Sequence, residues 1–299
     1  MLKEKLEKID LSCWHAPALK ENIPHGDMPG DKIKIGEDHI RKASKIFPLL
    51  AEEIGKTGNE KVVVSVFGGS GVGKSEIASL LTYYLEEAGI GAYVMSGDNY
   101  PYRIPMYNDA ERLSIFRAAG LRGLVDEKLY DSEARKTLSG LWEEESDPDP
   151  VKVSEHPWLK TYQEKGRAAL KEYLGTLKEQ NYPEVNGIIR DFKEGKECIL
   201  LKRMGRKEEE RWYDPVDFSD TGVLIIEWTH GGNENIEGID VPILLNSTPE
   251  ETREHRRMRA RDGKTDSAFT TMVLSIEQEE LDDRGRYAKI RIAKSGELM

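Results

Sequence analysis

The sequence predicts a three-layer α/β fold built on a mostly parallel sheet. Two observations carry this. The apolar runs Lys61–Phe67, Gly91–Ser96, Gly222–Trp228 and Val241–Asn246 do not alternate polar with apolar positions, as strands covered on both faces do not. Helix-spaced segments separate them, so strand and helix take turns along the chain.

A third observation narrows the class to the P-loop NTPase fold. The first apolar run leads into Gly68-Gly69-Ser70-Gly71-Val72-Gly73-Lys74-Ser75, and helical spacing resumes from Glu76 to Leu85. Those eight residues fit G-x-x-x-x-G-K-[ST] at every defined position, within the strand–loop–helix context that gives the motif meaning. Glycines let the backbone curl so that successive N–H groups point at phosphate oxygens, and the following helix adds the positive end of its dipole. Lys74 is then expected to reach the β and γ phosphates of ATP, and the Ser75 hydroxyl to ligate Mg²⁺.

Residues 1–60 read as an N-terminal helical extension: a short charged helix, a Pro/Gly-rich link at Ile23–Gly30 and a second helix near Gly36–Gly55. No chemistry is legible there. His15, His25 and His39 lack Cys, Asp or Glu partners at metal-ligand spacing and read as surface or packing residues. Residues 61–299 read as the nucleotide-binding domain.

Beyond the second strand lies Ser96-Gly97-Asp98-Asn99-Tyr100-Pro101-Tyr102-Arg103, at the strand end where an open α/β sheet presents its ligands. Asp98 suits a general base, or a residue that orients an acceptor beside the Mg²⁺ water shell; capping a turn is the alternative. Residues 109–195 form a mostly helical insertion, broken by the acidic, proline-bearing segment Glu143–Pro150, which reads as an exposed loop. Cys198–Lys202 is a further strand of the series. Glu227 closes the Gly222–Trp228 strand, where a carboxylate can hold a metal-bound water. Between Thr252 and Asp262, Arg253, Arg257 and Arg261 share one helical face, an arginine-bearing lid suited to neutralising phosphoryl oxygens. The alternative there is a solvated basic helix paired with Glu250, Glu251 and Glu254. Tyr287–Ile292 ends the series of strands.

The net charge of −11, from 44 basic and 55 acidic residues, argues against nucleic-acid or anionic-membrane binding. Cys13 and Cys198 stand alone, the start lacks the continuous apolar core of a signal peptide, and no apolar run approaches membrane-spanning length. A cytoplasmic protein is expected.

These motifs, in order over residues 61–299, resemble the uridine kinase and phosphoribulokinase family of P-loop kinases, which includes pantothenate and plant-type glycerate kinases. By that resemblance Asp98 is the catalytic base, Glu227 supports the metal waters, and Arg257 and Arg261 are lid arginines. Asn181-Tyr182-Pro183 takes the place of the family's Asp-x-Pro near the acceptor. The chain departs from the family with Asn181 for Asp, Trp228 for the glycine after Glu227, and Met258 for a second lid arginine. Arg211-Trp212-Tyr213-Asp214 stands near the place of a Pro-x-Tyr-Asp segment.

The resemblance implies ATP- and Mg²⁺-dependent phosphorylation of a hydroxyl on a small polar metabolite, with Tyr100, Tyr102, Arg103, Tyr213 and His230 as acceptor-pocket candidates. A homodimer is an option. Two alternatives stay open: a nucleotide-dependent switch or ATPase acting on a protein partner, and a kinase of small anions similar to adenylylsulfate or gluconate kinases. Against the switch, the chain has no Asn-Lys-x-Asp segment, and Leu138-Ser139-Gly140 matches a transport-ATPase signature over three residues only.

Overall fold

The computed structural model describes residues 2–259 and 267–299. Its elements are α1 (Leu2–Leu6), α2 (Glu37–Thr57), β1 (Val62–Gly68), α3 (Lys74–Glu87), β2 (Gly91–Ser96), α4 (Pro105–Asp126), α5 (Ser132–Glu143), α6 (Leu159–Lys171), α7 (Tyr182–Lys193), β3 (Cys198–Met204), β4 (Arg211–Asp217), β5 (Thr221–Glu227), β6 (Val241–Asn246), α8 (Pro249–Arg259), α9 (Ala268–Gly285) and β7 (Ile290–Ala293).

Every residue of β1 is buried, and the strand accordingly takes the centre of a five-stranded sheet of order β2-β5-β1-β6-β7. All four pairings are parallel. Alternate side chains of the strands feed two cores. Val62, Val64 and Val66 face Ile46, Phe47 and Leu50 of α2 and Ile77, Leu80 and Leu81 of α3. Val63, Met95, Leu224 and Ile226 face Tyr182, Val185, Ile189 and Phe192 of α7. Helices on both faces of a parallel sheet make the three-layer α/β architecture that the non-alternating strands predict. A further core of Phe116, Leu124, Leu138, Leu141, Leu159 and Tyr162 holds α4, α5 and α6 together.

Three details differ from the sequence reading. The Cys198 run does not join the main sheet: β3 pairs antiparallel with β4 in a separate two-stranded sheet. Its apolar residues in fact alternate, since Ile199 and Leu201 are buried while Cys198 and Leu200 are exposed; this is the pattern of a strand with one solvated face. The last strand begins at Ile290, the first residue paired with β6, while Tyr287 lies exposed in the turn after α9 with its N–H bonded to the Arg284 carbonyl.

The third detail is the acidic segment Glu143–Pro150. It leaves the α-helical conformation after Glu143, and Pro150 opens a short 3-10 helix, yet Asp147 is fully buried. Its carboxylate accepts from Arg117 at 2.7 Å and from the Tyr162 hydroxyl at 2.9 Å, and so ties α4 to α6. Pairing with arginine and a hydroxyl is what allows a carboxylate to sit there.

Candidate active site

Parallel strands bring their carboxyl ends to one edge of the sheet, and the register there is specific. Glu227, the last residue of β5, lies beside Val66 of β1 and Ser96 of β2. The loop after β1, the loop after β2 and the end of β5 thus meet in one place, the edge at which such sheets bind ligands.

The loop Gly68–Ser75 turns through positive φ at Gly71 (78°) and Gly73 (97°), angles that side-chain-bearing residues rarely adopt. Gly73 caps α3 without any side-chain hydrogen bond, so the helix's first N–H groups are left to another acceptor. Gly71, Gly73, Lys74 and Ser75 all line a cavity of about 950 Å³. Lys74 Nζ rests on the Gly69 carbonyl at 3.2 Å. The donor set fits a phosphate: uncapped helix amides and an ammonium on one wall.

Ser75 Oγ donates to Glu227 Oε2 at 3.2 Å, and Ser96 Oγ donates to Glu227 Oε1 at 2.6 Å. Burial raises the Glu227 carboxyl pKa and the Asp98 charge raises it further, against the opposing pull of Lys74 and the two serines. A hydroxyl and a carboxylate side by side on the cavity wall are hard oxygen donors of the kind Mg²⁺ takes. Asp98 is exposed and lines the same cavity. Its neighbours are held firmly: Asn99 Nδ2 donates to Asp27 at 3.0 Å, and Asn99 Oδ1 accepts from the Met204 N–H at 2.9 Å.

Trp228, standing where the resembled family has glycine, is buried against Gly97 and lies 5.3 Å from the Tyr182 ring. A Cβ on Gly97 would collide with the Trp228 side chain, so the glycine before Asp98 makes room for the indole.

The acceptor-pocket candidates divide. Arg103 and His230 line the cavity. Arg103 donates to the Tyr173 hydroxyl at 3.0 Å, and burial lowers the His230 pKa to about 4, leaving a neutral ring. Tyr100 is fully buried in the core under β2 and β5, while Tyr102 and Tyr213 are exposed and do not line the cavity. Tyr213 donates instead to Glu184 at 2.8 Å. Asn181 caps α7, accepting from the Glu184 N–H at 3.3 Å. Its neighbour Gln180 is the one that lines the cavity.

Among the arginines of α8 whose side chains are described, Arg253 and Arg257 are exposed and Arg256 lines the cavity. A Cβ on Gly71 would sit 2.9 Å from Arg256 Cγ, so α8 packs directly on the phosphate loop. Arg261 lies outside the described residues.

Sequence reasoning missed several wall residues, Asn108, Asp109 and Arg112 of α4 and Glu277 of α9, while of the Arg211–Asp214 segment it named, Trp212 of β4 is the residue on the wall. The spacing of Asn108 and Arg112 puts them one above the other on a helix, the only signal available. It also missed Asp27, whose carboxylate accepts from the Ser96 N–H at 2.7 Å and from Arg203 at 2.8 Å. Met28–Asp31 go on to line the cavity. His39 meets the phosphate loop too, since a Cβ on Gly73 would lie 2.9 Å from its Nε2. No described helix is long and apolar enough to cross a membrane.

No family model matches the chain. A bifunctional α-galactosidase/sucrose kinase from Mediterraneibacter gnavus is 32% identical over 259 residues, 87% of this chain. The chain spans 23% of that relative's length. Solved structures that overlap it include a D-glycerate 3-kinase from Cryptococcus neoformans var. grubii, 13% identical, covering 89% of this chain and 98% of that one with TM-score 0.49. Another is a candidate fructose transport system kinase from Silicibacter sp., 13% identical, covering 85% and 96% with TM-score 0.47. At that level of overlap nothing rests on either. The chain thus sets a phosphate-loop motif at the head of a five-stranded parallel sheet and is similar over 87% of its length to one part of the Mediterraneibacter gnavus protein.

Proposed function

We propose that the chain transfers the γ-phosphoryl group of ATP to a hydroxyl of a small polar metabolite. The observation that carries this reading is the meeting of Lys74, Ser75, Asp98 and Glu227 around one cavity, each delivered by a different strand end or by the helix after the first. The relative from Mediterraneibacter gnavus is named for a sucrose kinase activity, which makes a saccharide hydroxyl the first acceptor to try.

In this reading the loop amides and Lys74 hold the β and γ phosphates, and Arg256 approaches from α8. Ser75 and Glu227 would hold Mg²⁺, which would supply charge neutralisation at the phosphates. The acceptor oxygen forms a bond to the γ phosphorus while the bond from that phosphorus to the β–γ bridging oxygen breaks. ADP leaves, and Asp98 takes the hydroxyl proton. Most of the rate then comes from positioning and charge stabilisation, which the rigid loop after β2 and the enclosing cavity favour. Arg257, exposed on α8, contributes only through a screened charge in this reading, and Arg261 lies outside the described residues. The proposed homodimer is a matter for sedimentation.

The test is ADP release by purified protein with ATP and Mg²⁺ across saccharides, polyols, nucleosides, hydroxy acids, amino acids and pantothenate, with Lys74→Ala as the blank. Lys74-dependent release on one acceptor class bears the proposal out. ATP binding without any acceptor response, and hydrolysis stimulated only by a protein, would move the assignment to a nucleotide-dependent switch.

A further inference from the structure

The cavity wall beyond Asp98 carries two amide side chains whose hydrogen bonding is incomplete. Asn108 is 5% exposed and Gln180 is 2% exposed, and both line the cavity. Among the described residues, Asn108 Oδ1 and Gln180 Oε1 have no hydrogen-bond partner. Buried amide oxygens are almost always satisfied, so two at one wall call for a ligand that brings donors.

Their position relative to Asp98 is fixed by the backbone. The segment Glu179–Asn181 runs hydrogen-bonded alongside Tyr100–Tyr102: the Tyr102 N–H donates to the Glu179 carbonyl at 3.0 Å, and the Asn181 N–H donates to the Tyr100 carbonyl at 2.9 Å. Gln180 is thereby held next to the loop that bears Asp98. Asn108 joins it through the first turns of α4, with Nδ2 donating to Glu179 Oε1 at 3.1 Å.

The two arginines packed against them are already committed. Arg112 donates to the same Glu179 oxygen at 2.6 Å, and the other Glu179 oxygen takes the Gly175 N–H at 2.7 Å. Arg103 is shared between Tyr173 and Glu111. An arginine locked to a buried carboxylate has little left for an anionic ligand. Carbonyl-type oxygens, by contrast, can accept only from donors such as hydroxyl groups.

We propose that Asn108 and Gln180 determine acceptor specificity, their amide oxygens each accepting a hydrogen bond from an acceptor hydroxyl, and that the acceptor is therefore a neutral polyhydroxylated molecule of the saccharide or polyol class. This rests on the kinase reading above. Both oxygens are closed off from solvent, so in this proposal each terminal amide turns toward the cavity when the acceptor binds, with Asn108 giving up its bond to Glu179. Trp212, also on the wall, offers an aromatic face of the kind a sugar ring packs against.

The test pairs neutral saccharides and polyols with their carboxylate- and phosphate-bearing counterparts, in wild type and in Gln180→Met, which keeps the side-chain length and removes the acceptor oxygen. For the best neutral acceptor we expect its KM to rise about tenfold or more in Gln180→Met, as for a site built to hydrogen-bond a hydroxyl, while the KM for ATP changes less than about twofold. A set of monodeoxy analogues supplies a second readout that needs only folded wild type. One analogue should lose about tenfold in wild type and nothing further in Gln180→Met. An unchanged acceptor KM in Gln180→Met, no loss with any deoxy analogue, or a preference for anionic acceptors would each overturn this assignment while leaving the kinase reading standing. The last result would point to Arg206 and Lys207 on the β3–β4 hairpin. No transfer to any acceptor would overturn the kinase reading and this assignment with it.

Discussion

Arg203 donates to Asp27 at 2.8 Å, and both side chains are buried. The pair joins the Pro/Gly-rich link before α2 to strand β3, and Asp27 also receives the Ser96 N–H and the Asn99 amide. The loop that carries Asp98 is thus fastened from one side by Asp27 and from the other by Met204 through Asn99. Removing one member of such a buried pair is strongly destabilising, and without Asp27 the buried Arg203 keeps only the more exposed Asp214 carboxylate, at 3.2 Å. Asp27→Ala is expected to lower unfolding stability by about 3–5 kcal/mol, and Asp27→Leu combined with Arg203→Met to lower it less. Urea denaturation checks this; additive losses in the double variant would contradict the coupling.

Lys74→Ala and Asp98→Asn should each lower turnover by about two or more orders of magnitude, the scale of charge stabilisation and general-base catalysis. They should differ in binding. Lys74 stands on the phosphate wall, so its loss weakens ATP binding, whereas Asp98→Asn should leave ATP affinity near that of wild type. Steady-state kinetics with nucleotide titration separates the two, and near-normal turnover of Asp98→Asn would remove that residue from the base role.

Arg256, not its neighbour, lines the cavity from α8. Arg256→Ala is expected to cut kcat about tenfold or more, and Arg257→Ala to change it less than about threefold, since an exposed arginine acts through a screened charge. The reverse ranking would mean that α8 rotates when nucleotide binds.

Burial pushes the Glu277 carboxyl up to about 7, with Glu179 adding to the rise while Arg112 and Lys74 pull the other way. A carboxyl whose folded pKa exceeds its unfolded value holds a proton in the folded chain that the unfolded chain releases. Stability contributed by that proton is present at low pH and is lost as pH rises from about 4.5 to about 7. Glu277→Gln removes the effect, so its melting temperature relative to wild type should climb between pH 4.5 and pH 7.5, without nucleotide. A constant difference across that range would show that Glu277 does not titrate there.

Much of the fold was legible because the strongest signals are local. The unbroken apolar run of β1, the glycine–lysine–serine loop and the helical spacing of α3 each follow from neighbours in sequence, and together they define the centre of the sheet. What was not legible depends on distant partners. Leu200 is apolar yet exposed, so β3 looked like another buried strand until its pairing with β4 was known. Asp147 sits among glutamates and prolines, and only Arg117 and Tyr162 make its burial tolerable. Asp27, Asn108 and Gln180 carry no motif; they reach the site because residues far away in sequence fold to meet them. For Asn181 and Arg257, sequence matching came within one residue of the side chain that lines the cavity, since a motif places a segment and packing decides which residue faces inward.

The most direct measurement is identification of the products by phosphorus NMR and mass spectrometry after incubation with ATP, Mg²⁺ and the best acceptor of the panel. The account predicts one phosphorylated acceptor per ADP formed, with the phosphate on a hydroxyl oxygen and no transfer by Lys74→Ala. ADP accompanied only by inorganic phosphate, with every acceptor recovered unchanged, would contradict it.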